Sequence, residues 1–120
     1  MKIAILQREI AWADPATNRE RFSETFSRCE KADLYVLPEM FSTGFCTHPQ
    51  GIAEPADSHT LQWLKESAMQ NNCAMAGSVA VKEKGLFFNR FYFVKPDGSV
   101  TCYDKHHLFT FGGEDKHYTA

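Results

Sequence analysis

The sequence predicts an α/β fold in which helices alternate with the strands of a sheet. Short apolar runs, typical of strands, are separated by segments whose apolar residues recur at helical spacing. Their order is strand, helix, strand, helix and then three strands. Because a strand–helix–strand unit with parallel strands forms a right-handed crossover, we expect the helices to cover one face of the sheet.

The chain begins with a predicted strand and a predicted helix. Residues 2–8 contain a nearly continuous apolar run, which is typical of a strand buried on both faces, and we expect this strand to be central. Asp14 is a good helix N-cap and Pro15 is a favoured first helical residue. Apolar residues then recur at helical spacing, which predicts a helix that ends at about Lys31.

A second strand and a long loop follow. Residues 33–37 form another short apolar run, and Pro38 ends it because proline has no amide hydrogen to donate to a neighbouring strand. Residues 41–55 contain two glycines and two prolines and show no sustained period, so we predict a loop that crosses the strand ends.

The second half of the chain predicts one helix and three strands. Asp57 or Ser58 can cap a helix that ends near residues 71–72. The segment 95–99 has the proline and glycine of a reversing turn, which predicts a hairpin between the last two strands. The predicted strands are residues 73–81, 86–94 and 100–103.

Composition narrows the classes of function. The net charge is -2 and there is no run of basic residues, which argues against binding to nucleic acid or to an anionic membrane surface. No apolar stretch approaches the roughly 20 residues of a membrane span, and the amino terminus becomes charged too early for a secretory signal. We therefore expect one cytoplasmic domain, residues 1–120, that binds a small molecule or a protein.

The cysteines and histidines give no metal signature. The four cysteines are widely and irregularly spaced, which argues against a zinc site and a disulfide framework, and each is most simply a small buried hydrophobe. His106 and His107 are adjacent, so they cannot point the same way on a strand. A looser set, Asp104, His106 and Glu114, is a weak alternative, and we expect neither a metal nor a cofactor.

Two ionisable residues stand where predicted strands end. Glu39 follows the second strand and Lys105 follows the last one, and we expect them to lie side by side at the ends of neighbouring strands. A carboxylate can act as a general base and a fixed cation can stabilise an oxyanion. Each is also compatible with an ordinary surface residue. The apolar neighbours of Glu39 favour a partly shielded carboxylate, and Phe41 and Phe45 are candidates to line its pocket.

These segments resemble the nitrilase or carbon-nitrogen hydrolase superfamily. The resemblance rests on residues 37–45, on the hairpin 89–98, on residues 103–109 and on a first strand that ends in Gln7. It implies an α-β-β-α sandwich of two sheets with the helices outside, of which this chain is the amino-terminal part. It also implies an enzyme with a Glu/Lys/Cys mechanism and a homodimer or larger assembly.

The resemblance assigns a role to each candidate residue. Glu39 is the general base that takes the proton of a cysteine thiol, and Lys105 is the cation that stabilises the thiolate and the oxyanion. Glu114 matches a second glutamate of the family that orients the site and assists proton movement. The tail at residues 113–118 resembles the omega-amidase branch, which hydrolyses the side-chain amides of 2-oxo acids. The implied substrate is a small linear amide.

The nucleophile is absent from the expected motif. In this family the nucleophilic cysteine follows the lysine in a later motif, so we expect it beyond Ala120 and expect the chain to be a portion of a longer enzyme. Cys46, close to Glu39 in sequence, is a weaker substitute. We also expect an apolar sheet face that needs the missing half or another copy to cover it.

A different class of function stays open. A chain with this fold and no nucleophile could be a catalytically inactive assembly or regulatory module. The length of the gene past Ala120 distinguishes the two, since continuation into a strand followed by a cysteine indicates the enzyme.

Overall fold

The computed structural model describes residues 1–120 and has the predicted α/β architecture, with one mixed sheet and two α-helices. The strands are β1 (Ile3–Ile5), β2 (Leu34–Val36), β3 (Glu54–Pro55), β4 (Ala74–Glu83), β5 (Leu86–Val94) and β6 (Val100–Asp104). The helices are α1 (Pro15–Arg28) and α2 (His59–Asn71), and two short 3-10 helices follow at Thr110–Gly112 and Glu114–Lys116. Neither α-helix has the length and apolar composition that a membrane span requires.

The sheet combines parallel and antiparallel pairing. Its main strand order is β1-β2-β4-β5-β6, and the two-residue β3 pairs with β4. Strands β1, β2 and β4 are parallel, whereas β5 is antiparallel to both β4 and β6. Strand β6 therefore runs in the same direction as β2 and β4. The hairpin of β5 and β6 is confirmed.

The first strand is an edge strand, and the prediction that it is central was wrong. It is also shorter than residues 2–8. On the side away from the helices, Ile3 is 51% exposed and Ile5 is 74% exposed, whereas Leu6, just after the strand, is buried in the main core. A continuous apolar run indicates that both faces of a strand are apolar, but it does not tell which strands lie on each side.

Side-chain caps begin both helices. Asp14 Oδ1 accepts a hydrogen bond from the Thr17 amide at 3.2 Å, and Ser58 Oγ accepts one from the Leu61 amide at 3.1 Å. Helix α1 ends at Arg28 rather than near residue 31 because Cys29 is already extended, with φ of -76° and ψ of 153°. Local sequence thus sets the start of each helix more sharply than the end of α1.

The helices cover one face of the sheet, as expected. That face holds the main core, whose fully buried members include Phe22 from α1, Leu64 from α2 and Val79 from β4. Side chains alternate between faces along a strand, so Ser78 and Ala80 of β4 point to the other face. That second face is more open, and the functional residues described below lie on it.

A glycine in β4 allows the chain to pack closely over the sheet. A Cβ atom at Gly77 would lie 2.8 Å from Phe41 Cδ1 and 3.0 Å from Leu37 Cβ, and Phe41 is fully buried.

We predict that Gly77→Ala lowers the free energy of unfolding by about 1–3 kcal/mol, because the packed ring cannot move away without strain. Urea denaturation of the protein as its gene encodes it measures the change. The exposed substitution Thr101→Ala is the control, and a Gly77→Ala midpoint equal to wild type would contradict the predicted clash.

Candidate active site

A tight turn after β2 presents the first candidate residue, Glu39. The next residue, Met40, has a left-handed backbone with φ of 50°, which costs a non-glycine residue roughly 1 kcal/mol or more. The Met40 amide donates to Ser78 Oγ at 2.9 Å, and the Phe41 amide donates to the Ser78 carbonyl oxygen at 3.3 Å. These two bonds fix the turn on β4, so Glu39 is held over the sheet.

The structure brings Lys105 to the same place. Its backbone amide, just after β6, donates to the Asn89 carbonyl oxygen of β5 at 3.0 Å. Its Nζ donates to Glu39 Oε1 at 3.0 Å and to Glu114 Oε2 at 3.0 Å. Glu39, which is far from the other two in sequence, therefore forms one cluster with Lys105 and Glu114.

The strands that precede Glu39 and Lys105, β2 and β6, are not neighbours, contrary to the prediction. Strands β4 and β5 lie between β2 and β6. The two side chains meet because the turn at Met40 crosses over β4 and the long Lys105 side chain reaches back across β5. The side-by-side placement is thus produced by a turn and a long side chain rather than by strand adjacency.

Glu114 is a buried carboxylate with three donors. It is fully buried and accepts hydrogen bonds from the Phe109 amide at 2.6 Å, Asn89 Nδ2 at 3.1 Å and Lys105 Nζ at 3.0 Å. Burial raises the pKa of Glu114, but the three hydrogen bonds and the lysine charge outweigh it and hold the pKa below its ordinary value. Glu114 is therefore a stable negative charge beside Lys105.

Glu39 has a different environment. Its side chain is 51% exposed, so it is less shielded than its apolar sequence neighbours predicted. Oxygen Oε1 accepts from both Lys105 Nζ at 3.0 Å and Asn89 Nδ2 at 2.8 Å, whereas Oε2 has no hydrogen bond from the chain. One oxygen fixes the position of the carboxylate and the other is free to accept a proton.

Lys105 stays charged between these two carboxylates. Partial burial lowers the pKa of Lys105. The hydrogen bonds to Glu39 and Glu114 and the charges of these two carboxylates together raise it by more, so the net pKa is above the ordinary lysine value. The ring of Phe45 adds a cation–π contact, with its centroid 5.3 Å from Nζ. A permanent cation next to an open cavity is suited to stabilise a developing oxyanion.

Glu39 and Lys105 line two adjoining cavities. The first has a volume of about 270 Å³ and the second about 490 Å³. The first is lined by Leu37, Glu39, Gly77, Ser78, Asn89, Phe91 and Lys105. The second is lined by Glu39, Phe45, Lys105, His107, Leu108 and Phe109. The carboxylate and the ammonium therefore face a space that combines polar groups with apolar walls.

Only one of the two candidate aromatic residues faces a cavity. Phe45 lines the second cavity, whereas Phe41 is fully buried against Phe22 and Trp63 on the helix side, with ring centroids 5.8 Å apart in both pairs. The prediction that Phe41 lines the pocket was wrong. The chain reverses at Met40, so Phe41 points into the core rather than toward Glu39.

Sequence reasoning missed Asn89 and Ser78 as site residues. Asn89 is buried in the middle of β5 and donates to both glutamates, and Ser78 holds the turn that carries Glu39. The sequence did contain an indication that Asn89 has a special role, because asparagine is unfavourable in strands and here interrupts a strongly aromatic strand. Ser78 gave no such signal.

The alternative metal ligands do not converge. Asp104 is bound by Arg90 Nε at 2.7 Å, the Nδ1 atom of His106 lies 2.7 Å from the Asp104 backbone carbonyl oxygen, and Glu114 is buried beside Lys105. The chain contains no group of three or more His, Cys, Asp or Glu side chains that could hold a metal ion.

No cysteine of the chain lines either cavity. The nearest in sequence to Glu39 is Cys46, whose thiol donates to the His48 carbonyl oxygen at 3.2 Å. The site as described therefore has a carboxylate and a cation, but none of its own thiols faces them.

Known proteins are similar to this chain in sequence and in fold. The sequence pattern of the family described as carbon-nitrogen hydrolase matches residues 2–119. Omega-amidase YafV of Escherichia coli (strain K12) is 37% identical over 120 residues, which are 100% of this chain and 46% of that protein. 2-Oxoglutaramate amidase of Bacillus subtilis (strain 168) is 31% identical over 123 residues, covering 98% of this chain and 47% of that protein.

A solved structure agrees closely. The crystal structure of XC1258 from Xanthomonas campestris, a CN-hydrolase superfamily protein with an arsenic adduct in its active site, matches with a TM-score of 0.95 and 36% identity. The match covers 100% of this chain and 46% of that chain. The chain thus spans about half the length of the curated relatives it matches.

We predict that Glu114→Gln destabilises the protein by about 3 kcal/mol at neutral pH, because it removes the buried charge paired with Lys105. A carboxyl with a lowered folded pKa stabilises fully above its ordinary pKa, and this stabilisation is lost as pH falls through the folded pKa. The difference between wild type and Glu114→Gln should therefore shrink as the pH falls below about 4. Chemical denaturation over a pH series measures it.

The adjacent substitution Asp115→Asn is the matched control, since Asp115 is exposed. It should change the unfolding free energy by less than about 0.5 kcal/mol. Equal stability of Glu114→Gln and wild type at neutral pH would show that the buried ion pair does not stabilise the fold.

Proposed function

This chain belongs to the carbon-nitrogen hydrolase family, and from that premise we propose that it carries the general base and the oxyanion-stabilising cation of an amidase. Glu39 is the base, Lys105 is the cation and Glu114 keeps Lys105 charged and oriented. The observation that supports this most directly is the asymmetry of Glu39, which is anchored through Oε1 and leaves Oε2 free at the cavity.

In the proposed reaction a cysteine thiol attacks the carbonyl carbon of an amide. Oε2 of Glu39 takes the thiol proton as the carbon–sulfur bond forms, and the carbonyl oxygen becomes an oxyanion near Lys105 Nζ. Glu39 then returns the proton to the amide nitrogen, the carbon–nitrogen bond breaks and ammonia leaves. A water molecule, deprotonated by Glu39, hydrolyses the thioester to release the acid and the thiol.

The cysteine of this mechanism is proposed to lie outside residues 1–120. None of the thiols present faces Glu39 and Lys105 across the cavities, and the chain spans 46% of its omega-amidase relative. Thiol activation needs a base within hydrogen-bond reach and a fixed positive charge, and the cluster supplies both.

We propose that the substrate is a small linear omega-amide of a 2-oxo acid. Relatives called omega-amidase and 2-oxoglutaramate amidase support this class. The second cavity adds physical support, because Phe45, Leu108 and Phe109 provide apolar walls for a short aliphatic chain beside Lys105. Cytoplasmic location and homodimer assembly stay predictions.

The first functional test removes the base. In the protein as its gene encodes it, Glu39→Gln should lower kcat for ammonia release from 2-oxoglutaramate by about 10²–10⁴, because an amide of nearly equal shape cannot take the thiol proton. Circular dichroism should show an unchanged fold. The exposed substitution Glu20→Gln on α1 is the matched control. Near-normal turnover by Glu39→Gln would refute the assigned role, and absence of amide hydrolysis by wild type would favour an inactive assembly module.

The second functional test concerns the only cysteine in the loop after Glu39. We predict that Cys46→Ser leaves kcat within about twofold of wild type, because the Cys46 thiol is bonded to the His48 carbonyl oxygen and faces neither cavity. Ammonia release under saturating amide measures it. If Cys46→Ser abolishes turnover while the fold is retained, Cys46 is the nucleophile and the proposed location of the thiol is wrong.

A further inference from the structure

We infer that Asn89 is a positioning residue, which holds the two glutamates at fixed places around Lys105 and so keeps the free oxygen of Glu39 at the cavity. The inference deepens the proposed function and rests on it. Asn89 is not required to touch the substrate in this role, since it acts through Glu39 and Lys105.

The carboxamide of Asn89 bridges the two glutamates. Its Nδ2 donates to Glu39 Oε1 at 2.8 Å and to Glu114 Oε1 at 3.1 Å, which uses both of its hydrogens. Lys105 Nζ donates to the same Glu39 oxygen and to Glu114 Oε2. The four groups therefore form a closed ring of hydrogen bonds, in which each glutamate is tied to both the amide and the ammonium.

Glu39 depends on this ring more than Glu114 does. Glu114 is fully buried and has a third donor, the Phe109 amide, whereas Glu39 is half exposed and has no other donors. Without Asn89 the Glu39 carboxylate would be held only by the end of a flexible lysine side chain. It could then rotate and lose the arrangement in which Oε1 is bound and Oε2 is free.

A neutral donor is the suitable group at this position. The cluster has two carboxylates and one ammonium, so it carries a net negative charge. A second cation here would add its charge to that of Lys105, whereas a carboxamide donates hydrogen bonds and does not ionise. Asn89 therefore fixes the geometry without placing a second positive charge beside the carboxylates.

The backbone makes Asn89 a rigid support. It lies in β5 between two paired strands, opposite Ala80 of β4, and its carbonyl oxygen accepts from the Lys105 amide at 3.0 Å. On the other face of the sheet, its neighbour Arg90 binds Asp104, the neighbour of Lys105, at 2.7 Å and 3.1 Å. The backbone of Asn89 and the side chain of Arg90 thus both hold the end of β6, which limits movement of the amide relative to the lysine.

The kinetic experiment uses Asn89→Leu, which has nearly the same shape and no donor, in the protein as its gene encodes it. We expect kcat for 2-oxoglutaramate to fall by about 10–10², because a misplaced base loses near-attack geometry, while KM changes little. The acid limb of the pH–rate profile should move to higher pH, because Glu114 loses the Asn89 hydrogen bond that helps to lower its pKa. Asn89→Ser, which retains one donor, should restore part of kcat. The exposed substitution Gln70→Leu is the control.

A second measurement does not depend on activity. Carbon-13 NMR of labelled glutamate carboxyl carbons follows proton uptake by Glu114, whose signal is identified by its loss in Glu114→Gln. In Asn89→Leu, or in Asn89→Ser if the leucine variant does not fold, this uptake should occur at higher pH than in wild type. Wild-type uptake together with a wild-type pH–rate profile overturns the inference, even if the variant is less stable. A wild type without amidase activity overturns the proposed function, while the titration still decides whether Asn89 holds the carboxylates.

Discussion

One ammonium group shared by two carboxylates determines the layout of this site. Lys105 Nζ lies 3.0 Å from Glu39 Oε1 and 3.0 Å from Glu114 Oε2, and these residues come from the turn after β2, the end of β6 and the last 3-10 helix. Like charges this close would repel and one would take up a proton if no cation lay between them. The turn after β2 and the start of the last 3-10 helix must therefore converge on the lysine for the cluster to remain charged.

The two glutamates share this cation but differ in environment, which suits them to different tasks. Glu114 has no exposure to water and three donors, and its lowered pKa makes it a lasting counterion of Lys105. Glu39 is half exposed, and one of its oxygens has no donor from the chain. Two carboxyl groups placed in unlike surroundings are a general means of separating an electrostatic role from a proton-transfer role.

The fold separates stability from chemistry by using opposite faces of one sheet. The helices pack on one face, where Phe22, Leu64 and Val79 are fully buried. The first cavity opens on the other face, over Ser78 of β4 and Asn89 of β5. Because alternate residues of a strand point to opposite faces, β4 and β5 serve the core and the site at once. The strained turn at Met40 links the two, since Phe41 enters the core and Glu39 stays over the open face.

The sequence by itself determined the order of the elements, the start of each helix and the positions of Glu39 and Lys105 at strand ends. These features depend on local chemistry, namely apolar periodicity, capping by Asp14 and Ser58, and the missing amide hydrogen of Pro38. Only the tertiary structure decided that β1 is an edge strand, that Phe41 is buried and that Asn89 bridges two glutamates. Each of these depends on which segments become neighbours in space, and the period of a sequence specifies the faces of an element but not what packs against them.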